Sequence, residues 1–401
     1  MRNNKSVKII VFSALAALIL LFAIIFAAGP HSKKQVLGFY RTSPKVQAAV
    51  ISVLEANDNS KIQIINFDDE KTLDEQKNLL NKCSLLIFTN DAENQNYLEK
   101  KSKALSISFT EGFPSSIISS LTISEKNTVK ILPFLYDFYE IDVHYPTFLK
   151  SGQKNVDVFL DLIELAWREK DSTRAPLLIP VANDSLFLDY VGVIAEALCG
   201  YEAYENMIKE MMAFGTGTGK EDFQETLTKY LEENQPLGKT AAEIKSLLRS
   251  GILPRESLKL NEKDILFYLE NELCGIAFTS LSQHRQIPSR SVANYTSIYC
   301  PSTEFTPERK FAAVQFSVTA IKSRKSTEKL IKNLVTSYQN TLATESGLAP
   351  VQKNSAVPDH QADDVRFWLA ASKGPVMPLS RTMNAAQAAQ TAQILREMLL
   401  E

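Results

Sequence analysis

The stretch FGTGTGKED, residues 214–222, sets three alternating glycines before a lysine. Such a run could cradle a nucleotide phosphate on backbone N–H groups. The lysine would reach the terminal phosphates and a following hydroxyl would hold magnesium. The spacing does not support that chemistry. The first glycine of a phosphate-binding loop would fall at Phe214, and the metal-binding hydroxyl at Glu221. The preceding segment has a helical rather than a strand pattern. The stretch therefore reads as a helix ending at Gly215, a loop, and a new helix.

Other chemistry is sparse. The sequence contains no G-x-S-x-G elbow, no H-E-x-x-H and no C-x-x-C. The four histidines, His31, His144, His284 and His360, have no metal-ligand spacing. Neither an enzyme, a bound metal nor a cofactor is expected. The formal net charge of -2 gives no reason to expect a nucleic-acid partner. The cysteines Cys83, Cys199, Cys274 and Cys300 are too dispersed for a disulfide scaffold. An exported location would permit a bridge, and buried free thiols remain the equal alternative.

The elements that would position a site show a clear order. VLGFY (36–40), KIQIINF (61–67) and CSLLIF (83–88) read as strands. Helical spacing lies between them, first after the Ser43-Pro44 cap and then over 72–82. This alternation predicts a parallel, doubly wound α/β sheet. Beyond Val129 the pattern changes. ILPFLYDFYEIDVHYPTFLKSG (131–152) is extended, aromatic and marked by prolines, as expected of a crossing between domains. An amphipathic helix follows over 155–170, then a strand PLLIPV (176–181), then a mostly helical stretch to Glu272. LCGIAFTS (273–280) and TSIYC (296–300) read as further strands. FAAVQFSVTAI (311–321) alternates, with Val314, Phe316 and Val318 on one face. A helix follows that ends at Gly347, and a last helix carries small residues on one face.

The N-terminus carries Arg2, Lys5 and Lys8 before the uncharged run IIVFSALAALILLFAIIFAAG at 9–29. That length is about one bilayer crossing at roughly 1.5 Å per residue. Basic residues on its N-terminal side favour a cytoplasmic start and an exported remainder. Pro30 directly after the small residues is a poor setting for cleavage, so an uncleaved anchor is preferred to a removed signal peptide. No cysteine stands next to the run for lipid attachment.

The order of segments resembles the extracellular solute-binding proteins of the sugar type that feed ABC importers. ILPFLYDFYEIDVHY resembles that family's strand leading into the hinge, and FLKSG the turn after it. NELCGIAFTS resembles the strand returning to the cleft. FAAVQFSVTAIKSRKSTEKLIKNLVTSYQNTLATESGLAPV resembles its closing strand, turn and helix. The resemblance implies a two-lobed, type II periplasmic-binding-protein-like fold behind an N-terminal transmembrane or signal helix at 1–34. One lobe would hold 35–140 plus 311–347, and the other 143–307 plus 348–401. It implies an extracytoplasmic receptor that closes its hinge on a small polar solute, a sugar or polyol, and delivers it to ABC-transporter permease subunits. The alternative is a membrane-anchored sensor or structural protein on the same scaffold. The sequence departs from the family in lacking the lipid-attachment cysteine and in having only Trp167 and Trp368 for stacking on sugars.

In doubly wound sheets ligands sit beyond the carboxyl ends of strands. That rule selects Tyr40, Arg41, Asn90 and Asp91 in the first lobe and Asn183, Ser280 and Gln283 in the second. Their amides, hydroxyls and charges suit a hydroxyl-rich ligand. His144 in the hinge is a further donor, and Trp368 a stacking wall. Asp68 and Asp69 read as solvated loop acids, and Trp167 as structural.

Overall fold

The computed structural model describes residues 35–57, 62–152, 155–170, 173–214, 220–304, 308–357 and 359–401. The apolar run at 9–29 and the glycines of the 214–222 stretch lie outside the described residues. The helices flanking that stretch are Tyr201–Phe214 and Lys220–Leu231.

Strands β1 (Gln35–Tyr40), β2 (Ile62–Asn66) and β3 (Leu85–Thr89) run parallel, with β1 between the other two. β1 and β3 are apolar along nearly their whole length because both of their faces are covered. The helix Pro44–Asn57 links β1 to β2 and buries Val46, Ala49, Val50, Val53 and Leu54. The helix expected over 72–82 shrinks to Lys77–Leu80. Side-chain hydrogen bonds compete with it. Thr72 and Glu75 bond each other's backbone, and the Gln76 amide closes the loop at Asp68 from both directions.

A short antiparallel pair, β4 (Leu105–Ser106) and β5 (Thr128–Val129), precedes β6 (Ile131–His144). Later strands are β7 (Ala175–Leu178), β8 (Cys274–Ser280), β9 (Tyr295–Ile298), β10 (Phe311–Ala320), β11 (Ala349–Pro350) and β12 (Pro375–Val376). The principal order is β2-β1-β3-β10-β6-β8-β7. The 14 residues of β6 serve two neighbourhoods. Its first half lies antiparallel to β10 and β11, and its second half antiparallel to β8 and β9. β10 inserts between β3 and β6, so its polar face is buried as well, with Ser317 and Thr319 out of solvent.

Helices cover the second half. Asp184–Cys199 packs against Pro236–Ser250 and against the final helix, Ala385–Leu400. Ala388 and Ala392 of that last helix are buried, and small residues permit the close approach. The single helix expected before Gly347 is two, Lys325–Val335 and Gln339–Ser346. They part at Thr336, where ψ is -86°. Gly347 caps the second at φ 73°, the left-handed geometry its position requires.

Residues 348–371, grouped by sequence with 143–307, also pack on elements of 35–140. β11 pairs with Leu135 and Tyr136, and the helix His360–Ala371 lies on Ser115–Ser120. The turn at Gly347 directs the chain back along β6, and Ser116 Oγ donates to the Leu369 carbonyl at 2.7 Å. Among the described residues no helix is long and apolar enough to cross a membrane.

Candidate functional site

β1 ends at Tyr40, and Arg41 turns the chain at φ 50°, a left-handed conformation uncommon outside glycine. Acids from two neighbouring loops hold it there. The Arg41 N–H donates to Asp69 Oδ1 at 2.6 Å, and Nε donates to the Asp69 carbonyl at 3.1 Å. Nη1 lies 3.1 Å from Asp91 and 3.5 Å from Glu93. Asp91 also caps the helix Ala92–Lys101 by accepting from the Asn94 N–H at 2.7 Å. Burial raises its pKa, against the pull of these donors and of the Arg41 charge.

On the other side β8 ends at Ser280, which caps the one-turn helix Leu281–His284. Gln283 Oε1 accepts from the Ser280 N–H at 2.8 Å and from the Tyr190 hydroxyl at 3.0 Å. Between the two sides β6 presents Asp137 and Tyr139, two residues apart and so on one face. Asp137 Oδ1 accepts from the Ser282 N–H at 2.8 Å, and burial pushes the carboxyl up to about 6. The Tyr139 hydroxyl donates to Asp189, which also accepts from the Ser380 N–H at 2.8 Å. Arg381 follows directly, and its Nε is buried without a hydrogen-bond partner.

Residues of both sides line one cavity of ≈ 400 Å³. Arg41, Thr42 and Asp69 come from the strand ends of the first half, and Ser280, Ser282, Gln283 and Glu262 from the second. Asp137, Tyr139, Val314 and Phe316 come from the strands between, and Arg381 from the C-terminal return. Donors and acceptors alternate around a space of small-molecule size, as in pockets that orient a ligand by a few polar groups. Tyr139 and Phe316 are its aromatic members. A second cavity of ≈ 420 Å³ includes Ala313 and Gln315, of the opposite parity on β10, together with Asn90, Glu205, Lys209 and Lys310.

Of the residues selected from sequence, Arg41, Ser280 and Gln283 meet at the first cavity. Asp91 stands behind Arg41 and holds it. Asn183 caps the helix Asp184–Cys199 beside the cavity residue Leu186. The remainder need correction as cleft residues. Tyr40 points into the first-half core, edge-on to Phe67, with its hydroxyl on the Lys71 carbonyl. Asn90 turns to the second cavity. His144 ends β6 far from Asp137; it bonds Thr147 at 2.9 Å, and Nε2 lies 3.5 Å from Glu272. Burial, then the Arg174 charge, lowers the His144 pKa. Trp368 packs against Tyr299 and the core. Asp69 is the exposed loop acid expected, and it also anchors Arg41 at the rim of the cavity. Asp137, Tyr139, Ser282, Glu262 and Arg381 escaped sequence reasoning. The Asp-x-Tyr step within a strand was the one visible signal.

No family model and no curated protein matches the chain. Solved structures do. The bacterial solute receptor AcbH, described with an exclusive preference for β-D-galactopyranose, superposes with a TM-score of 0.71 at 12% identity, covering 91% of this chain and 94% of that one. The binding protein MsmE of Bacillus subtilis, in an open conformation, gives 0.71 at 11% identity, covering 92% and 93%. RafE in complex with raffinose gives 0.63 at 11% identity, covering 91% and 97%. The chain has the mixed α/β, two-domain fold of the sugar-type solute-binding proteins.

Proposed function

We propose that this chain is an extracytoplasmic receptor that binds a small polar solute, a sugar or polyol, and delivers it to the permease subunits of an ABC importer. The observation that carries the reading is the cavity to which both halves of the molecule contribute strand-end groups. Arg41 and Asp69 stand on one side, Ser282 and Gln283 on the other, and Asp137 between them. A solute touching both sides favours the closed arrangement by its differential affinity. The neighbours of like fold bind galactose and raffinose, which supports a hydroxyl-rich ligand. The shortage of broad aromatic faces here favours a short solute over a long oligosaccharide.

In this reading one lobe comprises 35–140 with 311–376, and the other 143–307 with the C-terminal segment after β12. Arg41, Ser280 and Gln283 contact solute, with Asp91 positioning Arg41. The segment 1–34 tethers the receptor to the outer face of the membrane and is not removed. The protein performs no catalysis.

The test is a thermal-shift screen of monosaccharides, disaccharides and polyols on the soluble fragment, followed by calorimetry. A ligand that binds only the folded state raises the midpoint. Scattering should show compaction with the same solute. If no solute raises the midpoint or compacts the protein, the transport reading fails and an anchored sensor or structural role replaces it.

A further inference from the structure

Glu140 and Asp142 lie on the face of β6 opposite Asp137 and Tyr139, away from the cleft. Both are buried, at 1% and 0% exposed. His284 reaches them from the helix Leu281–His284. Its Nδ1 lies 2.6 Å from Asp142 Oδ1 and 3.8 Å from Glu140 Oε1. One donor atom from each of the three falls within 4.8 Å of the others. Asp142 is well supplied with partners: Thr279 Oγ1 donates to it at 2.9 Å and Ser297 Oγ at 3.0 Å. Glu140 is not. Gln361 donates to Oε1, but Oε2 is closed off from solvent with no hydrogen-bond partner.

Charge is short here as well. Two buried carboxylates face one imidazole. Arg285, whose charge reaches Glu140, is itself paired with Asp359. Buried charges are ordinarily paired or bound to metals. This group calls for one more positive charge.

We propose that Glu140, Asp142 and His284 form a binding site for a divalent transition-metal cation, with Zn²⁺ the best match. One imidazole nitrogen and two carboxylate oxygens form a donor set that zinc accepts. Tetrahedral bonds of roughly 2.0–2.2 Å place such donors about 3.3–3.6 Å apart. The observed separations of 2.6 and 3.8 Å fall on either side of that range, so modest side-chain shifts make the cage. Ser297 Oγ or a water molecule supplies the fourth position. Binding replaces the direct Nδ1–Asp142 contact by bonds to the ion. The rival means of neutralisation is a proton on Glu140.

The site stands on the reverse of the strand from the solute cavity, so its test is independent of the transport reading. The tag-free full chain is titrated with Zn²⁺ alone by calorimetry, with thermal midpoints measured in parallel. One ion per chain and a raised midpoint are expected. Co²⁺ should give visible d–d bands that Zn²⁺ abolishes. Glu140→Gln and His284→Asn should each weaken binding at least tenfold, after circular dichroism shows them folded. Glu140→Gln preserves shape and carries the test alone if His284→Asn does not fold. No bound zinc, or an unchanged affinity in Glu140→Gln, overturns the proposal and leaves the proton on Glu140 as the answer.

Discussion

Arg309 lays its guanidinium against the carboxylate of Glu196, with Nε 2.9 Å from one oxygen and 3.0 Å from the other. Both residues are buried, and Nη2 also donates to the Cys300 carbonyl at 2.9 Å. The pair pins the chain entering β10 to the helix Asp184–Cys199. Removing one partner strands a buried charge. Glu196→Gln should therefore cost about 3–5 kcal/mol in urea unfolding. Replacing both residues by apolar ones of similar volume should cost far less, and equal losses in the two variants would show that the ion pair is not what holds this junction.

Asp137 sets a pH dependence. Its pKa rises from 3.8 to about 6 on burial, so between those values the folded state holds a proton that the unfolded chain has lost. Stability from this group is highest below about pH 4, falls as pH rises toward 6, and stays lower above it. Asp137→Asn keeps an acceptor for the Ser282 N–H and removes the slope. Two pKa units correspond to about 3 kcal/mol, an upper value for the gain at neutral pH. Unfolding free energies measured from pH 4 to pH 7 decide it; parallel profiles for the two proteins would reject a titrating Asp137.

The cavity groups have their own trial. Gln283→Ala and Arg381→Ala should each weaken the solute found by screening by about 1–3 kcal/mol, roughly tenfold to a hundredfold. Trp368→Phe should leave affinity unchanged, since that ring packs on Tyr299 instead of the cavity. Calorimetry with all three variants separates the cavity assignment from a general loss of stability.

The fold was more legible than the site. Val36 to Phe88 carries its strands as short apolar runs between caps, a local signal, and the hinge strand betrayed itself by extended aromatic composition. The course of the chain after Gly347 was not legible. It depends on where β11 pairs, which is a long-range event. The site failed for the same reason. A strand-end rule finds Arg41, Ser280 and Gln283 because each lies at the end of a readable strand. It cannot find Arg381, brought in by the C-terminal return, nor tell that Asn90 turns to one face of β10 while Thr89 turns to the other. Tyr40 failed because the last residue of a strand still alternates, and its side chain faced the core.

Gly238 sits where the helix Pro236–Ser250 meets the end of Lys220–Leu231. A Cβ there would lie 2.1 Å from the Glu232 carbonyl oxygen and 2.5 Å from that of Leu231. Backbone cannot step aside as a side-chain tip can. Gly238→Ala should cost at least about 1–3 kcal/mol, read as a lower urea midpoint. A variant as stable as the parent would mean the two helices are farther apart than described.

The four cysteines are free. Burial raises the thiol of Cys83 to about 11 and those of Cys274 and Cys300 to about 12. Cys199 is half-buried and raised less. Alkylation of the folded protein near neutral pH should mark Cys199 first and spare the others until denaturant is added. Mass spectrometry showing Cys274 or Cys300 labelled at the same rate would contradict their burial.

β10 fits between β3 and β6, pairing Phe316 with Thr89 on one edge and with Leu135 on the other. The sheet of the first half therefore lacks a central strand until most of the chain has been synthesised. Contacts that distant in sequence close late, because the loop entropy must be met before they form. The first-half sheet cannot be completed before β10 has been made, so its closure waits for the C-terminal third. Under the export proposed above, that delay would keep the chain a thread for the passage and let the sheet close only after arrival.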